Sequence, residues 1–453
     1  MSLESQSRLS NRCREIDIDI LVKDGHVLTL DRERAAYNPG YVAIKGGKIV
    51  AVGPVEENVA QYRAKCEINA SNCLVLPGFV NTHTHAAMAL LRGYADDMNL
   101  QEWLFNHIFP AEAKCMNEES VYWGTRIAIA EMIRNGITTF SDGYFFTGSV
   151  SRAVKECGIR AVVGQGVLDY PTPDCPDPEK SMTLASNFLD KYGGYSPRVY
   201  PSIFCHSPYT CSKRTLAKMK ELTREHKALF QIHLSETERE VEEFEDKHKT
   251  RPTFYLRDLG ILDKDTLVAH AVWLNKKEIE VLKKHHACVS HVVSSNMKLA
   301  SGVAPLPRFL EANLAVGIGT DGCASNNRLD LLRDIDLAAK LHKLWQGDAT
   351  VVPAMRLVEM ITLKGAACIG LGERIGSIES DKLADITILS LNKPHLTPLY
   401  DPYSHLVYCA RGSDVRDVIV GGEIIMRNRK ILAFDEQETI EKVSRITGNL
   451  MKI

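Results

Sequence analysis

The spacing of apolar positions changes twice along the chain. From Ile16 to Pro77 they come in short runs rich in Val, Ile and Leu, broken by turn residues, which reads as β structure. Ile20–Leu30 is predicted as two short strands turning at Asp24-Gly25, and Tyr41–Ile44 with Lys48–Val52 as a hairpin closed by Gly46-Gly47. The far end repeats the style in Ala384–Leu389, Val415–Val420 and Glu423–Met426, the last two joined by Gly421-Gly422. Two β-rich ends around a different middle predict one small β-sandwich built from both, residues 1–77 and 376–453.

The middle, residues 78–375, alternates apolar strand runs with helical patterns. The strand runs are Leu74–His85, Ile137–Asp142, Ala161–Val167, Val199–His206, Leu229–Leu234, Thr266–Val272, Ala287–Val293 and Leu314–Asp321. Helices are predicted between them, such as Glu119–Asn135 ending at Gly136, Ser212–His226 starting at a capping serine, Lys276–His286 and Leu329–Leu344. Eight strand–helix units give a parallel α/β sheet, either closed as a (β/α)8 TIM-like barrel or open and doubly wound.

Composition narrows the class. Over 453 residues, 45% hydrophobic and 25% charged positions are ordinary for a globular protein with a large core. Lys+Arg 55 against Asp+Glu 57 offer no footprint for nucleic acid, and the densest basic stretch, Arg427–Lys430, reads as a solvated turn. Apolar runs such as Leu74–Val80 fall far short of the roughly 20 residues that span a bilayer. The first twenty residues lack the apolar core of a signal peptide, and the 12 cysteines include no C-x-x-C pair. Free thiols in a reducing cytoplasm are expected, with no membrane partner.

Chemistry decides between barrel and open sheet. His83 and His85 alternate on one strand, so both side chains project to one side and can share a metal ion. Alone, the pair reads equally well as two packed histidines. The other strand ends add His233 and Glu236, His270, and Asp321. In a sequential open sheet the first and eighth strands would lie more than about 30 Å apart, whereas a barrel makes them neighbours. A barrel therefore lets one divalent metal take His83, His85, His233 and Asp321, with zinc the first choice and iron or manganese the alternatives. Glu236, three residues past His233, is the natural proton shuttle. His270 reads as a further ligand, a group polarising the attacking water, or a packed histidine. His291 on the seventh strand has no assigned part.

These residues sit in runs that resemble the amidohydrolase superfamily, in its branch of purine and pyrimidine deaminases and chlorohydrolases. The runs are Pro77–His85, His233–Glu236, Ala269-His270 and Gly319–Asn326. Within the branch, Asn81–Ala95, Trp103-Leu104, Pro110–Lys114, His206–Cys211 and Ser295–Gly302 are most similar to 5′-methylthioadenosine/S-adenosylhomocysteine deaminases. The resemblance implies the same four metal ligands, one metal per subunit, and a homo-oligomer. It further implies ribose-hydroxyl recognition by Glu112 and substrate contacts from His206 and Glu236. Trp103, Phe105 and Phe109 would form an aromatic lid after the first strand, with Trp103 against the substrate. The implied reaction is hydrolytic deamination of an adenine nucleoside, with Glu236, His270 and Asp321 moving protons. Guanine, 8-oxoguanine or cytosine deamination, s-triazine dechlorination and a non-catalytic scaffold are the rival readings. Some members place an arginine about 25 residues before the pocket histidine; here Glu179–Leu184 contains none, which leaves the grip on the ribose or thio substituent unassigned.

Overall fold

The computed structural model describes residues 15–56 and 59–450. The expectation about the chain's first residues therefore lies largely outside the described residues. Eight parallel strands stand in sequence order: Phe79–Thr84, Ile137–Tyr144, Arg160–Val167, Val199–Cys205, Phe230–Leu234, Thr266–His270, Cys288–His291 and Val316–Ile318. Asn81 bridges the remaining gap between the eighth and first strands. Its Oδ1 accepts from the Thr320 amide at 3.1 Å, and its Nδ2 donates to Thr320 Oγ1 at 2.8 Å. Beside it the Asp321 amide donates to the His83 carbonyl at 3.0 Å. The predicted (β/α)8 barrel is the architecture, and the open sheet is excluded.

The helices start where short polar side chains can satisfy their free amides. Asn117 opens Glu118–Arg134 in a capping box with Ser120, Ser212 accepts from the Thr215 amide, and Asn275 and Asp330 cap Lys276–Lys284 and Leu331–Gln346. The main apolar core fills the space between barrel strands and these helices.

Several expected elements differ. Leu74–His85 is two strands divided at Gly78: Cys73–Pro77 joins the terminal sheet and Phe79–Thr84 opens the barrel. The chain crosses there so closely to the second strand that a Cβ on residue 78 would lie 2.1 Å from Thr138 Oγ1. No turn forms at Asp24-Gly25. Ile16–Leu28 continues as one strand through a bulge, with Asp24 at φ 66°, and pairs with Ala36–Lys45 on both sides of it. Ile20, Val22 and Val27 all enter one core with Val42, Ile386 and Ile419, so running on buries more than turning back. The Arg427–Lys430 turn is present, but Arg429 is not merely solvated: its guanidinium donates to the carbonyls of Arg134, Gly412 and Val415 at 2.7 to 2.8 Å.

Both chain ends form the second layer together, as expected, with their strands joined in one nine-stranded sheet folded around its own core. The hairpins at Gly46-Gly47 and Gly421-Gly422 form as predicted. The last helix, Glu436–Leu450, lies against Glu118–Arg134, where Arg134 pairs with Glu436. Among the described residues no helix is long and apolar enough to cross a membrane. Eleven described cysteines are free thiols.

The sheet is fastened to the barrel floor by a buried ion pair. Arg160, on the third barrel strand, donates from Nε and Nη2 to the two oxygens of Asp385 at 3.0 and 2.9 Å. The side chains are 2% and 1% exposed, and the Gly421 amide adds a third donor at 2.7 Å. Removing one partner would leave the other charge buried and unpaired. Asp385→Ala is therefore expected to cost about 3–5 kcal/mol of stability, read as a lower urea midpoint. An unchanged midpoint would show that this pair does not couple the two layers.

Candidate active site

The C-terminal rim of the barrel holds an open cavity of ≈ 740 Å³, and the predicted chemistry converges in it. His83 and His85 close the first strand, His233 the fifth, His270 the sixth, and Asp321 follows the eighth. Ligand nitrogens of His83, His85 and His233 lie within 4.8 Å of one another, the Nε2 atoms of His83 and His233 at 3.3 Å. Asp321 Oδ1 faces His85 Nε2 at 3.3 Å and His83 Nε2 at 3.6 Å.

The donors are prepared for a divalent cation. His85 Nδ1 donates to the Gly143 carbonyl at 2.6 Å, which leaves Nε2 unprotonated toward the cluster. Burial pushes His83 down to about 4 and His233 well below its ordinary value, so both imidazoles are neutral near pH 7. Burial works against the Asp321 carboxylate, but His83, His85 and His270 outweigh it and hold its pKa well below the usual range. Its Oδ2 accepts from Ser295 Oγ at 2.7 Å and Ser325 Oγ at 2.9 Å, while Oδ1 takes the Gly322 amide at 2.8 Å. Three imidazoles and one oriented carboxylate suit a divalent metal.

Two groups flank the cluster without belonging to it. His270 Nδ1 donates to Asn296 Oδ1 at 2.9 Å, so Nε2 points inward, 3.7 Å from Glu236 Oε2. Burial opposes a charge on His270, yet Glu236 and Asp321 together raise its pKa. Burial raises Glu236, partly offset by His270, and Ser301 Oγ donates to its Oε1 at 3.2 Å. Glu236 is thus a wall residue and not part of the solvated helix face. The buried carboxylate of Glu240 gathers the amides of Ser235 and Glu236 at 3.1 and 2.8 Å and so fixes where Glu236 sits.

The outer half of the cavity holds the remaining candidates. Glu112 is buried on the short helix Phe109–Cys115, and Tyr144 Oη donates to its Oε1 at 2.6 Å. Burial pushes Glu112 up to about 7, with Tyr144 pulling the other way. His206 is set against Thr210 Oγ1 at 3.1 Å, and burial pushes it down to about 3. Trp103 lies on a wide π-type turn, Trp103–Ile108, with its indole Nε1 buried and unpartnered. Trp103 and Phe109 line the cavity, but Phe105 does not: it is 49% exposed, with its ring edge on Phe109. His291 stays out of the cavity and packs its Nε2 3.2 Å from His342 Nε2.

The model of the Amidohydrolase family matches residues 74–425. A 5-methylthioadenosine/S-adenosylhomocysteine deaminase of Syntrophobacter fumaroxidans is 44% identical over 95% of this chain and 98% of its own. A 5′-deoxyadenosine deaminase of Methanosarcina mazei is 42% identical over 96% and 98%. The crystal structure of an adenosine deaminase from Xanthomonas campestris with bound zinc superposes with a TM-score of 0.94 at 32% identity, covering 97% of this chain and all of that one.

Divalent ions titrated into metal-free protein are expected to bind and raise its Tm. His85→Ala and His233→Ala should abolish the effect, and Ser325→Ala, which strips a donor from Asp321, should weaken binding roughly 10- to 100-fold. Undiminished binding by His233→Ala would exclude this cluster as the metal site.

Proposed function

The chain belongs to the amidohydrolase family, and we propose that it is a hydrolytic deaminase of adenine nucleosides. Its substrates would be 5′-substituted adenosines such as 5′-methylthioadenosine and S-adenosylhomocysteine, with adenosine itself a further candidate, released as inosine analogues plus ammonia. The observation that carries this reading is a buried carboxylate, Glu112, facing the histidine–aspartate cluster across one cavity. A carboxylate can accept both hydroxyls of a vicinal diol, so it suits a ribosyl group, whereas a free base or a triazine carries no diol to bind it.

His83, His85, His233 and Asp321 would hold the metal, zinc by the nature of the donors and by likeness to zinc-bound relatives. When bound, a divalent ion lowers the pKa of water from about 15.7 to about 7 and so allows hydrolysis at neutral pH. The chain's own groups do the rest. Glu112 orients the ribose, steadied by Tyr144, and the indole Nε1 of Trp103 supplies a donor beside it. His206 presents a neutral imidazole edge to the substrate. Burial raises the Glu236 carboxyl, which suits it to deliver a proton at N1 and so make C6 more electrophilic. His270 Nε2 and Asp321 take the proton from the attacking water, and Asp321 Oδ2 stays oriented by its two serines. A C–O bond forms at C6, the proton taken from the water passes to the amino nitrogen, the C–N bond breaks to release ammonia, and the C6 hydroxyl gives its proton back to Glu236.

An ultraviolet assay on metal-loaded protein, following adenine-to-hypoxanthine conversion, should show turnover of nucleosides with little on adenine or guanine. Glu236→Gln is expected to lower kcat by about 10²–10⁴. Turnover of guanine or a triazine, with none of any nucleoside, would replace the reading.

Glu112 gives a second check. Above its pKa of about 7 it is a carboxylate that accepts both hydroxyls, and below it the protonated acid cannot. The KM for nucleosides should therefore rise as pH falls through about 7. Glu112→Gln should flatten that dependence and lower kcat/KM by about 10- to 100-fold, the worth of a hydrogen bond to a charged group. A KM independent of pH in the unaltered protein would remove Glu112 from ribose binding.

A further inference from the structure

The nucleoside cavity is chemically lopsided. Its lining holds the imidazoles, Glu236 and Asp321 and, besides Glu112, an apolar wall of Leu100, Trp103, Leu104, Ile108, Phe145 and Leu168. Among the described residues that line the cavity there is no arginine and no lysine. Lys298, next to the lining residue Leu299, is committed to Asp96 at 2.6 Å and to Asn327. The segment Glu179–Leu184 forms a short turn and the start of the helix Ser181–Tyr192, and sends nothing into the wall.

We infer that this wall selects adenosines whose 5′ substituent is small, uncharged and apolar, 5′-deoxy or 5′-alkylthio, over those that carry an amino-acid headgroup. The inference rests on the adenine-nucleoside reading above: with C6 at the metal end and the ribose hydroxyls on Glu112, the 5′ carbon is directed at the apolar wall. A methyl or a thioether sulphur gains by leaving water there. A carboxylate brought to the same wall loses its water, meets no cation and stands close to Glu112.

The test uses the unaltered, metal-loaded protein and compares kcat/KM across five substrates. These are 5′-methylthioadenosine, 5′-deoxyadenosine, S-adenosylhomocysteine, and two homocysteine analogues of equal reach, one lacking only the carboxylate and one lacking only the ammonium. The first two are expected to exceed S-adenosylhomocysteine at least tenfold. The analogue without the carboxylate should recover most of that loss, and the one that keeps it should not. S-adenosylhomocysteine used as well as 5′-methylthioadenosine would overturn the inference and leave the deaminase reading standing. An analogue without the carboxylate that is as poor as S-adenosylhomocysteine would overturn it as well, since the carboxylate would then not be what the wall rejects. No turnover of any of the five would instead overturn the deaminase reading itself.

Discussion

Asn81 spans the place where the barrel's regular ladder of backbone bonds stops. By holding both the amide and the hydroxyl of Thr320, it ties the first strand to the segment after the eighth, and the Asp321 amide completes the join on the His83 carbonyl. The fit is tight enough that a Cβ on Gly319 would stand 2.5 Å from Ser290 Oγ and 2.7 Å from the His83 Cβ, so residue 319 has no room for a side chain. Everything at the rim depends on this seam. His83 and His85 come from residues near one end of the barrel sequence and Asp321 from the other, and they share a site only because the sheet closes on itself.

Closure alone does not aim the groups inward. Ser235, His270, Ala271 and Asp321 all have left-handed backbone, with φ of 50°, 70°, 50° and 64°. None is a glycine, and such conformations persist only where surrounding bonds impose them. The bonds are present: the Ala271 amide donates to the Leu234 carbonyl at 2.9 Å, the amides of Val272 and Trp273 to the Ser235 carbonyl at 3.1 and 3.0 Å, and Gly322 to Asp321 Oδ1. The strand ends are bent at His270 and Asp321 themselves and, at Ser235 and Ala271, beside Glu236 and His270. The strained backbone is therefore part of how Glu236, His270 and Asp321 are brought to face one another.

What could be read from the sequence was whatever obeys a local rule. Strand alternation puts His83 and His85 on one side, and eight strand–helix units put every strand end on one rim, so the metal cluster and Glu236 were visible before any coordinates. Groups that act through a distant partner were not. Ending the second strand at Asp142 stops two residues short of Tyr144, and nothing nearby shows that its hydroxyl will reach Glu112. Ser295, Asn296 and Ser301 stood in a run noted only for its likeness to a family; their roles appear once that run folds back on Asp321, His270 and Glu236. Asp24-Gly25 failed in the other direction, because a local turn signal was overridden by a core shared between the two halves of the strand.

The cavity carries a buried carboxyl at each end, and the same dry surroundings raise both. Their company separates them. Glu236 faces the imidazole of His270, whose cation can offset the negative charge left when Glu236 gives up a proton, so that no charge is stranded alone in a low-dielectric site. Glu112 has only the Tyr144 hydroxyl, which supports a carboxylate but cannot share its charge, and its pKa is left at about 7. A diol that bound there would bring two more O–H donors, which Glu112 lacks, and would draw the group into its charged form. In the proposed reaction, desolvation would then serve opposite ends: it favours a proton on Glu236 and makes Glu112 depend on its ligand for a stable charge. The apolar side chains lining the cavity would preserve that dryness, so that under this proposal specificity and proton transfer draw on the same surface.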